Sequence, residues 1–385
     1  MTSKLWVLET SIQVRFTMKK KIIAGAVLSV LSGAVFAQSS LTIYGLIDAG
    51  VVVERNGVYN GGKTTTKLDG GVNGGSRIGF KGVEDLGGGL SAIFTIESGF
   101  TGDTGASGQG GRLFGRQSFV GLTGGFGTVK AGRQYSVMDN TLGAIDPFGN
   151  ATAGRGGNLV GAFGNAGGGD YQARFDNALQ YSTANFGGVT ADLQYGFGEQ
   201  AGNANASRSL GVAVNYVNGP LTARLAHQRS NDVAIGATTN LGAAIIASGV
   251  TAAQLATQTH NAQHTIFGGT YDLGVAKLHA LYAINKRTSG PDSVKSNDAL
   301  VGATFPFGAH KVLVSYVYKK DKTDGQNESA QQLGVGYSYD LSKRTSFYAA
   351  YAAIKNNNDA TYTVGNSSNA GTGSQALNVG LRHAF

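Results

Sequence analysis

The 385-residue chain has no cysteine, four prolines and one tryptophan. Without cysteine there is no disulfide framework and no thiolate metal site. Beyond residue 37 no window reaches the roughly 20 apolar residues of a membrane-spanning helix; the most helix-like stretch is the Ala-rich 241–258. Only 14% of residues are charged, and no cluster of Lys and Arg is interleaved with aromatics, so nucleic-acid binding has no support. The six histidines are scattered. His260 and His264 have helical metal-pair spacing but no H-E-x-x-H and no nearby carboxylate, so neither a metal nor another cofactor is expected.

What the chain does have is 61 glycines, 16 tyrosines and 18 phenylalanines. That much glycine without a G-X-Y period is not collagen, and without Ser, Gln or Pro dominance it is not a disordered tract. Short strands with many turns fit better. The glycine-rich stretches lack the strand-to-helix context of a nucleotide loop.

From Met18 the sequence reads MKKKIIAGAVLSVLSGAVFAQ: three lysines, an apolar run and a small-residue stretch ending at Ala37. These are the three regions of a secretory signal peptide, with cleavage expected after Ala37. Residues 1–17 stand before a complete signal and add nothing to it, as a start placed too far upstream would. The expected organisation is therefore an upstream extension 1–17, a signal 18–37 and one mature unit 38–385. Removing residues 1–37 takes away five basic and one acidic side chain, which lowers the net charge from +8 to +4.

In the mature part, apolar and polar residues alternate with period two in segments of about ten. In GSRIGFKG, Ile78 and Phe80 share one face, and Arg77, Gly79 and Lys81 the other. Sixteen segments repeat the pattern, at about 41–54, 75–83, 90–99, 114–123, 127–135, 175–184, 189–198, 208–217, 221–230, 263–272, 275–286, 297–305, 309–320, 329–339, 345–355 and 375–385. Short connections such as DLGGG, GGFG and DLSKR alternate with long ones, the first at about 55–74 and the longest at about 136–174. Short turns thus fall on one rim and long loops on the other.

So large an antiparallel sheet disposes of its edges by pairing its first strand with its last. A soluble sixteen-stranded barrel would have no core to fill its interior. In a membrane the apolar outer face is buried and a polar lumen stays wet. The fold expected is all-β: a 16-stranded antiparallel transmembrane barrel with short periplasmic turns and long extracellular loops. It places the chain in the outer membrane of a Gram-negative bacterium.

LTIYGLIDAGV, GSRIGFKGVEDLGGGLSAIFTIESGF, GRLFGRQSFVGLTGGFGTVKAGRQY and the ending VGLRHAF closely resemble the trimeric general porins of Gram-negative bacteria, of the beta-proteobacterial and neisserial type. The resemblance implies a homotrimer, no enzymatic activity, and passive diffusion of ions and small hydrophilic solutes. Other implied partners are outer-membrane lipid, lipopolysaccharide and the barrel assembly machinery, which reads Val379, Leu381 and the terminal Phe385. It also implies that the third long loop, 136–174, folds inward and narrows the lumen, with Asp139, Asp146 and Asp170 on the loop facing Arg77, Arg133 and Arg174 on the wall and Lys81 on the same face as Arg77. Acid facing base across a narrow pore sets up a transverse field, and mild anion preference is expected. The alternatives are a substrate-specific channel, an adhesin or receptor barrel, and a barrel lipase or protease; the last needs a nucleophile with a positioned base.

Mature protein purified from outer membranes is expected to begin at Gln38, and N-terminal sequencing that found residues upstream of it would refute the cleavage site.

Overall fold

In a computed structural model, the structure describes residues 39–55, 64–163, 171–234, 259–289, 292–357, 360–365 and 374–385. The signal region, the Ala-rich 241–258 and Asp170 lie outside them. The strands are β1 (Ser40–Arg55), β2 (Thr64–Gly70), β3 (Arg77–Gly87), β4 (Leu90–Gly99), β5 (Gln117–Gly124), β6 (Gly127–Tyr135), β7 (Arg174–Ser182), β8 (Val189–Gly196), β9 (Ser209–Asn218), β10 (Leu221–Ala234), β11 (Thr259–Asp272), β12 (Lys277–Ser289), β13 (Asp292–Phe307), β14 (His310–Asp321), β15 (Ala330–Asp340), β16 (Thr345–Asn356) and β17 (Gln375–Ala384). Neighbours pair antiparallel, and β1 closes on β17 from Leu46↔Ala384 to Arg55↔Gln375.

These seventeen segments make sixteen staves. β1 pairs with β2 over residues 49–55 and with β3 over 40–46, so β2 and β3 are two pieces of one barrel strand. Alternation alone puts 55–74 in a loop, because the glycine-rich stretch 71–76 hides the strand before it. That stretch breaks the strand and docks on Asp48: the Asp48 carbonyl accepts from Gly71 N at 2.9 Å, and its carboxylate accepts from Asn73 N at 3.1 Å and Tyr348 Oη at 3.0 Å.

Alternation places each side chain. On β1, Leu41, Ile43, Ile47 and Val51 are exposed on the outside while Asp48, Val52 and Glu54 are buried within. Val120, Leu193, Phe267, Val301, Leu333 and Leu381 continue the outer apolar surface around the ring. In water so large a patch is a liability; in a bilayer it is the buried face. The short turns use local chemistry, as where Asp85 Oδ1 accepts Gly87 N at 2.8 Å and Gly87, Gly88 and Gly89 all take positive φ.

The connection from β6 to β7 folds into the barrel. It opens with helix α1 (Val137–Ile145), capped by Ser136 Oγ accepting from Asp139 N at 3.3 Å. Val137, Met138, Leu142 and Ile145 form its buried face and pack on β9 to β12, where small inward residues such as Ala213, Ala226 and Ala283 leave room for the helix. Leu159, Val160 and Ala162 extend the core, and Ala360, Tyr362 and Val364 of the last loop join it. The lumen is therefore polar and wet only on one side, and on the other it is a packed apolar core. The strand pattern predicts a polar lumen throughout; a loop folded inward brings its own apolar face with it.

Wall side chains hold the loop along its length. His279 Nδ1 lies 2.6 Å from the Ile145 carbonyl, Asn378 Oδ1 accepts Ala153 N at 2.5 Å, and Gln332 Nε2 donates to the Gly154 and Arg155 carbonyls at 3.1 and 3.0 Å. Farther along, Gly161 N donates to Asp298 Oδ2 at 2.8 Å. Asp298 is itself fixed by Lys319 Nζ at 2.8 Å and Asn285 Nδ2 at 2.7 Å, with both charged side chains fully buried.

Removing one partner of a buried ion pair leaves the other uncompensated, at about 3–5 kcal/mol. Lys319→Met is expected to lower the thermal unfolding midpoint strongly, and Lys319→Met with Asp298→Asn to recover most of the loss; equal stability of single variant and wild type would refute this anchor.

Candidate functional site: the lumen constriction

On the polar side of the lumen, the loop and the wall enclose a cavity of about 730 Å³. Arg77 of β3, Arg116 just before β5, Arg174 of β7 and Arg382 of β17 line it from the wall, with the backbone of Gly71, Gly74 and Gly75 at the strand break. Asp139 and Arg155 line it from the loop. Among the described residues, five arginines thus face one carboxylate.

Tyr135 organises two of them. Its hydroxyl accepts from Arg174 Nη2 at 2.8 Å and from Arg116 Nη2, and both guanidinium carbons lie over its ring, 4.3 and 5.8 Å from the centroid. Arg116 is further fixed by Glu97, whose Oε1 accepts its Nε at 2.7 Å while Oε2 accepts Tyr44 Oη at 2.9 Å. Arg77 and Arg382 make no hydrogen bond or ion pair with a described residue and present their charge to the cavity.

Asp139 sits in the first turn of α1, where its charge is favoured by the helix dipole. Burial raises its carboxyl above the ordinary range, against the pull of Arg174, Arg155 and Arg116. Asp146 is placed differently. It is buried away from the cavity, and its carboxylate accepts from Gly156 N at 2.7 Å, Asn150 N at 3.0 Å and Phe148 N at 3.1 Å. Burial pushes it up to about 6 while those N–H groups and Arg155 pull it down. Its work is to tie the turn after α1, not to face the solute.

Arg133 does not line the cavity. By alternation it shares the outward face with Ala131, which opposes the exposed Val120, and it binds Asp176 Oδ1 at 2.5 Å and the Gly115 carbonyl at 2.7 Å; the bulge here lies on β7, where Asp176 and Asn177 together oppose Arg133, while Tyr135 at the end of β6 lines the lumen. Lys81 lies four residues from Arg77 toward the short-turn rim, its ammonium 5.5 Å from the centre of the Tyr44 ring.

A family model described as a Gram-negative porin matches residues 24–359. The chain belongs to the Gram-negative porin family. An outer membrane porin protein of Bordetella pertussis is 32% identical over 96% of this porin and 100% of its own length. The major outer membrane protein P.IB of Neisseria meningitidis serogroup B is 32% identical with the same coverage. Among solved structures, the anion-selective porin from Comamonas acidovorans superposes with a TM-score of 0.76 at 29% identity, covering 90% of this chain and 100% of that one. The closed barrel with an open lumen is that of a passive diffusion channel of the outer membrane.

The C-terminal residues of this porin sit on its closing seam. Val379 and Leu381 pair with Val51 and Ala49 of β1, and Phe385 exchanges backbone hydrogen bonds with Gly45 at 3.0 and 3.1 Å. The Phe385 ring occupies the space over Gly45 that a Cβ would need.

The residues singled out from the sequence do not include Arg116, Arg155 and Arg382. For Arg382 a signal exists: Leu381 faces outward, so its neighbour faces in, opposite Asp48. Arg116 falls in the expected segment 114–123, where alternation sets it in phase with the outward Val120, but the strand begins only at Gln117; Arg155 lies in the loop, where alternation has nothing to say.

Asp146→Ala leaves three N–H donors without an acceptor, at about 1–3 kcal/mol each. Single-channel records of this variant are expected to show rapid flicker around an otherwise normal open level, and steady wild-type current would refute the tethering role.

Proposed function

We propose that the mature unit, residues 38–385, is a general diffusion porin with a preference for anions, without catalytic activity and assembled as a homotrimer. Its partners are outer-membrane lipid and lipopolysaccharide, the barrel assembly machinery acting on Val379, Leu381 and Phe385, and the ions and small hydrophilic solutes that cross it. The observation that carries the selectivity is the cavity lining of five arginines to one carboxylate. At one Debye length, ~8 Å, a unit charge acts on a passing ion with ~0.5 kcal/mol in water. The five arginines less Asp139 and the Glu97 carboxylate paired with Arg116 leave a net three charges, which sum to ~1.5 kcal/mol in favour of an anion and as much against a cation before screening. Likeness to an anion-selective porin supports the same sign.

In this reading Arg77, Arg174, Arg116 and Arg382 form the basic wall and Asp139 the acid of the constriction. Lys81 adds to the field on the periplasmic side. Arg133 acts at one remove, by holding Asp176 and the backbone of Gly115.

In a salt gradient across a planar bilayer, Arg77→Glu with Arg382→Glu is expected to move the zero-current potential toward cation preference, and Arg133→Glu to move it far less. Anion preference should also strengthen as pH falls, beginning above the ordinary carboxylate range, because protonating the raised Asp139 carboxyl removes the negative charge from the lining. Asp139→Asn is expected to show the stronger preference already at neutral pH and to lose that pH dependence. An unchanged potential in the Arg77/Arg382 variant, with barrels assembled normally, would refute the assignment.

A further inference from the structure

Beside the arginine cavity a second one, of about 210 Å³, lies between the loop and the inner wall of β14 to β16. Phe148 and Gly149 of the loop border both. Pro147 and Phe148 line the second cavity from the loop, and Leu313 and Ala350 from the wall. The Phe148 ring is locked in place, because it fills the space that a Cβ at Gly154 or Gly336 would need. The cavity thus has an apolar middle of fixed shape.

Its polar ends are of two kinds. At one stands Thr152, which is 4% exposed and whose hydroxyl has no hydrogen-bond partner among the described residues. Its φ of 57° is one that a β-branched residue adopts only where its surroundings impose it. Here the Val72 carbonyl accepts the Thr152 N–H at 2.9 Å, and Asn378 Oδ1 of β17 accepts the next N–H, that of Ala153. At the other end stands Lys311, near the start of β14, its ammonium 3.0 Å from Asp340 on the short-turn side. The ladder from Leu313 through Gly336 and Ala350 to Asn378 puts β14 three strand spacings from β17, roughly 14 Å along the sheet. A carboxylate alone does not serve both ends. A flat apolar body with a charge at one end and a hydroxyl at the other does.

We infer that this cavity is a subsite for small aromatic acids that carry a hydroxyl opposite the carboxylate, of the para-hydroxybenzoate type. The carboxylate accepts from Lys311, whose three N–H donors serve it and Asp340 together. The ring lies against Phe148, Pro147 and Leu313, and the distal hydroxyl pairs with that of Thr152. The size fits: an apolar cavity of about 150 Å³ takes benzene, and the larger volume here leaves room for the two polar groups. The adjoining arginines raise the local concentration of the anion. The inference rests on the channel reading, since the ligand arrives through the lumen.

The test uses the full mature protein folded in detergent, with binding read by saturation-transfer NMR of the ligand and protein-free micelles subtracted. Para-hydroxybenzoate is expected to bind saturably, benzoate several-fold more weakly, and phenol and acetate more weakly still. Thr152→Val keeps the branched side chain and removes the hydroxyl. It is expected to melt at or above the wild-type midpoint, since a buried unpaired group is gone, and to bind both acids alike, at the wild-type affinity for benzoate. Lys311→Gln is expected to weaken both acids about tenfold, as loss of a hydrogen bond to a charged group does, and to keep the preference for the hydroxyl. The subsite is overturned if Thr152→Val still prefers the hydroxylated acid, or if Lys311→Gln binds both acids as the wild type does. It is equally overturned if phenol or acetate binds as tightly as para-hydroxybenzoate. The zero-current potential of Thr152→Val, a neutral change, is expected to equal the wild type's, so failure of the subsite and failure of the channel reading are separately visible.

Discussion

Inside a bilayer no water is available to the backbone, so every strand N–H and C=O that faces the hydrocarbon must find a partner in the sheet. This constraint makes the pairing of β1 with β17 the condition for the rest of the structure. An open edge would be a row of unsatisfied donors and acceptors at membrane depth. The seam is accordingly specific: Phe385 lies over Gly45, and on the inner side Tyr348 fills the space over Gly50 and Gly380 while bonding to Asp48. A side chain at any of these three glycines would meet an aromatic side chain already in place.

Closure on that scale leaves an interior too wide for the wall to fill, and the β6–β7 connection solves this asymmetrically. Its apolar face packs on small inward residues of β9 to β12 and forms a core inside the barrel, while Asp139 and Arg155 remain on the open side. The polar anchors Asp298, Gln332, Asn378 and His279 come from β13, β15, β17 and β12, far apart in sequence. A pore of fixed shape follows, because a loop tethered at many points cannot drift as a tail would. Two of the arginines, in turn, are held at close quarters by Tyr135 as a shared acceptor, with Glu97 fixing Arg116, and these contacts offset the cost of crowding like charges.

Nearly all of the barrel is legible in the alternation of the sequence. Period two is a strict consequence of strand geometry, and a wall between lipid and water reads it out in every segment. Alternation misleads where the backbone departs from that period. The stretch 71–76 conceals β2. Arg133 fails differently: the resemblance puts it at the lumen, whereas its pairing keeps it on the outward face of Ala131 and Val120. Asp139 and Asp146 are seven positions apart in one loop and look equivalent in sequence. Yet one lines the cavity and the other ties a turn, because they sit at opposite ends of α1 and meet different surroundings.

The sequence by itself determined that this chain is a closed β-barrel with its apolar face outward and that short turns share one rim, which follow from local pattern and turn chemistry; that arginines and loop acids line the lumen came from the family resemblance. Only the tertiary structure decided which charges meet. Arg77, Arg116, Arg155, Arg174, Arg382 and Asp139 come from six separate places along the chain and converge on one cavity. Their convergence depends on ring closure and on a loop anchored across the lumen, which are long-range pairings that no local spacing encodes.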